Sequence, residues 1–162
     1  MLADELGQAF ASSGLTLAVA ESCTGGRLGD AVTNVPGSSS YFLGGIVSYS
    51  NDAKERLLDV ETAVLESKGA VSEEVALMMA DGVRLRFDAD IGVGVTGIAG
   101  PSGETPGKPV GLVFIAVCSS DRRVCTRNQF SGSRSDVKSG AVETALKMLL
   151  DFLGHGHRTR MC

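Results

Sequence analysis

The stretch Leu15–Thr33, LTLAVAESCTGGRLGDAVT, decides the fold. Residues 15–20 form a short apolar run of the kind that makes a buried strand. Small polar residues and a Gly-Gly pair follow, and then a helix-like pattern begins. Thr24 stands where it can cap a helix that runs to about Thr33. A buried strand turning directly into a helix is the building unit of an α/β domain.

The flanking sequence repeats that alternation. Residues 2–13 read as an amphipathic helix ended by Gly14. VPGSSS (35–40) reads as a loop, and YFLGGIVSYS (41–50) as a strand interrupted by Gly-Gly. Asn51 is read as the cap of a short helix, DAKERLLDV, and residues 61–69 as another short helix. The strongest helix is 71–87, with Ser72 as its N-cap and Glu73 and Glu74 in its first turn. ADIGVGVTGIAG (89–100) reads as a buried strand entering a glycine-rich loop, and 101–109 is too rich in Pro and Gly for regular structure. Residues 110–118 and 123–130 read as a hairpin, 135–153 as a closing helix, and 154–162 as a disordered polar tail. The expected architecture is therefore one α/β domain over 1–153, a three-layer sandwich around a mixed sheet. Its first three strands are parallel, and the hairpin imposes one antiparallel strand.

Composition narrows the function classes. A chain of 162 residues fits a single core. A net charge of −4 argues against a broad nucleic-acid face, which needs clustered Lys and Arg. It leaves room for a small anionic ligand held by a few local donors. The first 14 residues lack the basic start and apolar run of a signal peptide, and no apolar run is long enough to span a bilayer. The reading is a cytoplasmic chain with no membrane partner. None of Cys23, Cys118, Cys125 and Cys162 forms a CxxC pair, so no metal site is expected. A tight turn at Asp121-Arg122 would set Cys118 opposite Cys125, read as a disulfide in an oxidising setting and as two reduced thiols in a cytosolic one.

Ligands of open α/β sheets sit beyond the carboxyl ends of the strands. Three loops leave such ends, 21–26, 49–54 and 96–109, and they carry dense Ser, Thr, Lys, Tyr and Gly. Ser22 falls where a strand turns into a helix, so it is read as a nucleophile, as part of a phosphate cradle, or as a cap. A serine nucleophile needs a base. The only histidines, His155 and His157, lie in the polar tail, which disfavours a Ser-His-Asp arrangement. A lysine serves instead if burial lowers its pKa, and Lys54 follows the second strand. Tyr49 leads into the same loop and is read as a proton relay or as a support for Lys54. Glu21 is read as a second support for Lys54 or as a surface ion-pair partner. Cys23 is the rival nucleophile, read as pointing into the core. Arg134 and Arg27 are candidate phosphate donors.

AESCTGG, VPGSSSYFLGGIVSYSNDAKERLL, GAVSEEVA and VTGIAGPSGETPGKPVGLV together resemble the CinA C-terminal domain family, from about residue 4 to residue 153. The resemblance implies an α/β/α sandwich with a mixed five-stranded sheet, one strand antiparallel. It also implies a nicotinamide-nucleotide amidohydrolase: nicotinamide mononucleotide (NMN) plus water gives nicotinate mononucleotide and ammonia, in pyridine nucleotide salvage. The family's catalytic serine, tyrosine and lysine match Ser22, Tyr49 and Lys54. Its threonine matches Thr96, and its arginine before the last helix matches Arg134. With the three loops, this gives an expected substrate-binding set of Thr24, Gly25, Gly26, Asn51, Thr96, Gly97, Gly100 and Arg134. No cofactor is expected, and a homodimer is expected by analogy. Two other readings stay open: a nucleotide-binding module without chemistry, and an amidase for nicotinamide riboside or free nicotinamide.

Overall fold

The structure, a computed structural model, describes residues 1–156. In chain order the elements are α1 (Leu2–Ser13), β1 (Leu17–Glu21), α2 (Arg27–Thr33), β2 (Phe42–Val47), α3 (Asn51–Leu58), α4 (Thr62–Lys68), α5 (Glu73–Arg86), β3 (Ile91–Gly97), β4 (Leu112–Cys118), β5 (Arg123–Gln129) and α6 (Arg134–Gly156). The five strands form one sheet in the order β2-β1-β3-β4-β5. β1 pairs parallel with both β2 and β3, and β4 is antiparallel to both β3 and β5. Four strands thus point one way and β4 alone runs against them. The carboxyl ends of β1, β2, β3 and β5 consequently lie along one edge of the sheet.

Side-chain alternation along the strands sorts the two faces. Leu17, Val19, Val93, Val95, Val113, Ile115 and Val117 join the core packed with α1, α2 and α6. Ala18 and Ala20 instead face Val75, Met79 and Val83 of α5, and Ala116 and Cys118 face Ala76 and Ala80 of the same helix. The α5 side of the sheet is therefore built from small residues, which lets that helix approach the strands closely. Gly94 shows how close. A Cβ there would meet the Ala76 carbonyl oxygen and stand 2.7 Å from the Ala80 nitrogen, nearer than real Cβ atoms come. Gly94→Ala should accordingly destabilise the domain by about 1–3 kcal/mol through overpacking. Thermal unfolding should register this as a Tm loss of about 2–4 °C per kcal/mol.

Several expected element ends move. Gly26, not Thr24, occupies the N-cap of α2, with φ 100°. The reason is non-local to the helix: the Glu21 carboxylate accepts from the N–H groups of Gly26, Leu28 and Gly29. Ser50, not Asn51, caps α3, its hydroxyl accepting from the Ala53 N–H at 3.1 Å. Ser72 caps α5 as expected, accepting from the Val75 N–H. The 35–40 loop contains a 3₁₀ turn over Ser38–Ser40. The last helix continues through residues 154–156 because each added residue gains a bond without a new nucleation cost. The rest of the expected tail, 157–162, lies outside the described residues.

The hairpin register also corrects the cysteine pairing. Cys118 faces Arg123 and Cys125 faces Ala116, because the turn is centred on Ser120-Asp121, one residue earlier than the expected Asp121-Arg122, which slides the pairing by two residues. Both thiols are free, and burial pushes them up to about 11 and about 12 respectively. Cys162 lies outside the described residues.

Candidate active site

Ser22 is the first residue after β1. Its N–H donates to the Val95 carbonyl of β3 at 2.9 Å, which ties the turn to the centre of the sheet. Ser48 follows β2, and its N–H donates to the Glu21 carbonyl at 2.9 Å. Neighbouring parallel strands so bring the β1 turn and the β2–α3 connection side by side. One turn into α3, Lys54 points back beneath that connection.

There the lysine amine meets two oxygens. Lys54 Nζ lies 3.0 Å from Ser22 Oγ and 2.8 Å from the Ser48 carbonyl oxygen. Lys54 is 1% exposed and Ser22 8% exposed. Lys54 forms no ion pair among the described residues. An ammonium without a carboxylate partner is costly to bury, and desolvation holds the Lys54 pKa below the ordinary lysine value of 10.5. The amine is thereby biased toward its neutral form. In that form its N–H can donate to Ser48 while its lone pair faces Ser22. A serine with a neutral amine at hydrogen-bond distance is a nucleophile with its base.

The pair opens into a cavity of about 280 Å³. Cys23, Tyr49 and Asn51 line it on one side, and Thr96 to Gly100 on the other. Arg134 closes one rim from the first turn of α6, while Ala70, Val71, Ser102 and Gly103 complete the wall. Its lining holds the Lys54 amine and the Arg134 guanidinium and no carboxylate, although the whole chain carries −4. Glu104 is exposed and does not line the cavity.

Other expected residues take different parts. The Tyr49 hydroxyl does not support Lys54; it accepts from Arg134 Nη2 at 2.8 Å. Arg134 Nη1 also donates to the Gly100 carbonyl at 2.7 Å, so the guanidinium joins the β2–α3 connection to the glycine-rich loop. Thr96 is buried, and its hydroxyl donates to the Ala70 carbonyl at 2.8 Å, holding the wall rather than facing solvent. Gly97 and Gly100 line the cavity as expected. Thr24, Gly25 and Gly26 do not. Thr24 Oγ1 is buried with no hydrogen-bond partner among the described residues.

Arg27 turns to α6, where it donates to Ser135 and Ser139. Glu21 supports neither Lys54 nor a surface cation; its carboxylate binds main-chain N–H groups. Cys23 is 5% exposed and belongs to the core, and burial pushes its thiol up to about 11. A thiol in that state is a poor rival to Ser22. The sequence reading missed the Ser48 carbonyl as the second partner of Lys54, since a main-chain acceptor leaves no mark in residue type.

Among the described residues, no group of three or more His, Cys, Asp or Glu side chains is placed to hold a metal. No described helix is long and apolar enough to cross a membrane.

Comparison with known proteins agrees with this architecture. The model of the CinA C-terminal domain matches residues 1–153. A CinA-like protein of Geobacter sulfurreducens is 49% identical over 142 residues, which are 86% of this chain and 34% of that protein. The chain spans about a third of the length of the curated relatives that it matches. The crystal structure of competence/damage inducible protein CihA from Agrobacterium tumefaciens superposes with a TM-score of 0.91 at 41% identity, over 94% of this chain and 93% of that one. A CinA superfamily protein from Klebsiella pneumoniae gives a TM-score of 0.92 at 32% identity, over 95% and 96%. The match runs through the sheet, the helices on both faces and the segments that carry Ser22, Lys54 and Arg134, and the chain belongs to the CinA C-terminal domain family.

Proposed function

We propose that the domain is a serine amidohydrolase that uses Lys54 as its base and converts NMN to nicotinate mononucleotide and ammonia. The observation that carries this reading is the buried Lys54 amine, without a carboxylate partner, 3.0 Å from Ser22 Oγ at the floor of a cavity. A lysine buried only for packing would be replaceable by an apolar side chain. One that meets a serine at the carboxyl edge of an α/β sheet is placed for proton transfer.

The steps balance as follows. Neutral Lys54 takes the proton of Ser22 Oγ as that oxygen bonds to the carboxamide carbon. The carbonyl π electrons move to oxygen, giving a tetrahedral oxyanion. Collapse reforms the C=O bond and expels the amide nitrogen, which leaves as ammonia with the proton returned from Lys54. Water then attacks the acyl-Ser22 ester, again giving its proton to Lys54. Ser22 Oγ departs and takes that proton back, and the product acid loses water's second proton to solvent to become a carboxylate.

The Arg134 guanidinium supports a phosphate-bearing substrate. Arg134 is the charged group on the rim, away from the Ser22 floor, where a 5′-phosphate can reach it while the carboxamide meets Ser22. Arg134→Gln should raise KM for NMN about 10- to 100-fold, the loss of a charge-assisted hydrogen bond. Steady-state kinetics with NMN and with nicotinamide riboside check this. The wild type should prefer the phosphorylated compound, and the variant should lose most of that preference.

The reading itself is tested by ammonia release from NMN by purified, metal-free protein. Turnover that needs the 5′-phosphate supports it. Binding of NMN with no ammonia released would leave the cavity a nucleotide-binding site only.

A further inference from the structure

One buried charged side chain next to the nucleophile has no place in the steps above. Glu21 is 2% exposed and forms no ion pair among the described residues. Both its oxygens are engaged. Oε2 accepts from the N–H groups of Gly26 and Leu28, each at 3.0 Å, and Oε1 accepts from that of Gly29 at 2.8 Å. A carboxylate held by three main-chain donors is a stiff, charge-assisted clamp. It ties the last residue of β1 to the start of α2, and the five residues between the two elements include Ser22.

The rest of the turn is tied from the same point. The Glu21 carbonyl accepts from the Ser48 N–H at 2.9 Å, and Ser48 in turn holds the Lys54 amine through its own carbonyl at 2.8 Å. The Ser22 N–H is fixed to Val95, and the Ser22 carbonyl accepts from the Gly25 N–H at 3.1 Å. One residue thus governs both members of the reacting pair: its side chain sets the turn of Ser22, and its main chain sets the connection that carries Lys54.

The clamp also decides where an oxyanion can be held. The N-terminus of α2 would ordinarily draw an anion, but the Glu21 carboxylate already occupies its donors. The N–H groups of Gly25 and Arg27 are bonded to the carbonyls of Ser22 and Thr24. Within the turn this leaves the N–H groups of Cys23 and Thr24, the two residues that follow Ser22, without a main-chain acceptor among the described residues.

We infer that Glu21 is a positioning residue: its carboxylate aims the Ser22 turn at Lys54 and directs the oxyanion to the N–H groups of Cys23 and Thr24. The inference rests on the Ser22–Lys54 reading above. It removes the start of α2 from the catalytic machinery and assigns a functional consequence to a residue that touches no substrate.

The test is Glu21→Gln, which keeps the shape but turns a donor, the amide NH₂, toward main-chain N–H groups. Two readouts are compared with wild type well below each protein's Tm. One is steady-state hydrolysis of NMN. The other is the rate of covalent labelling of Ser22 by a fluorophosphonate probe, followed by intact-protein mass. A small misalignment of reacting groups should lower kcat and the labelling rate together by about 10- to 100-fold, with KM changed by less than about threefold. Rates within about twofold of wild type would overturn the inference and leave Glu21 a helix cap. Should Glu21→Gln fail to fold, Glu21→Asp, which keeps the charge but is one methylene short, is judged by the same rates. A wild type that labels at Ser22 without releasing ammonia sinks the amidase reading alone, and the labelling ratio still decides the role of Glu21. A wild type that neither labels nor turns over sinks both.

Discussion

Ser22→Ala is expected to lower ammonia release from NMN by about 10⁴-fold or more, while leaving the nucleotide bound. The loss should fall on kcat rather than on KM, because the hydroxyl supplies the bond-forming oxygen and contributes little to ground-state binding. Isothermal titration with NMN should therefore give a Kd close to that of the wild type. Folding should also survive. Ser22 is held by main-chain bonds to Val95 and Gly25, and neither uses its hydroxyl. The lost hydrogen bond is the one to Lys54 at 3.0 Å, whose amine keeps the Ser48 carbonyl as a partner.

The neighbouring thiol sharpens that expectation. In a variant lacking Ser22, Cys23 is the one side chain in the turn with nucleophilic chemistry of its own. It is packed in the core with its pKa pushed up to about 11, so at neutral pH it is a buried, protonated thiol. Residual activity should consequently be insensitive to thiol alkylation. A variant that kept near-normal turnover, or whose turnover vanished on alkylation, would move the nucleophile off Ser22. The covalent mechanism would then have to be rewritten around Cys23 or around water.

Much of this site can be read from residue types because strand order converts sequence position into place. A strand ending at Glu21, another ending at Val47 and a third ending at Gly97 run parallel and adjacent. Their following loops must then meet, which is why Ser22, Lys54, Gly97 and Gly100 converge as expected. Element interiors were legible for the same reason: apolar runs mark buried strands, and Ser72 marks its helix through a local bond. What escaped the sequence are choices made across space. Thr24 is a good capping residue by type, but a carboxylate from the preceding strand reaches the helix first. Tyr49 adjoins Lys54 in the chain, yet its hydroxyl meets Arg134, which lies 85 residues away. Thr96 lines the cavity as expected, with its hydroxyl fixed on the Ala70 carbonyl. Each miss concerns a polar group with several acceptors or donors within reach, where geometry rather than residue type selects the partner.

Replacing the base should divide activity from stability in opposite directions. Lys54→Met removes the amine that deprotonates Ser22, and ammonia release should fall by about 10²–10⁴-fold, the usual contribution of a general base. The same substitution should stabilise the fold, because a thioether of similar length fills the site without an unpaired charge. Swaps of buried ionic groups for apolar ones commonly gain about 1–3 kcal/mol, and in a domain of this size each kcal/mol raises Tm by about 2–4 °C. The pH dependence fixes the cause. Burial holds the folded-state pKa of Lys54 below its ordinary 10.5. Below that lowered pKa both folded and unfolded chains bind the proton, so the cost of burying the ammonium is fully present. Between the lowered value and 10.5 the unfolded chain binds more protons than the folded one, so wild-type stability rises with pH. The advantage of Lys54→Met should thus be constant at low pH, shrink across that window and be smallest above 10.5. The same titration predicts that wild-type kcat/KM falls on acidification as the amine gains its proton. Thermal melts of both proteins from neutral to alkaline pH, beside the pH–rate profile of the wild type, check both claims. A Met variant that is less stable at every pH would mean that Lys54 is held as a structural cation, and the acid limb would then need another base.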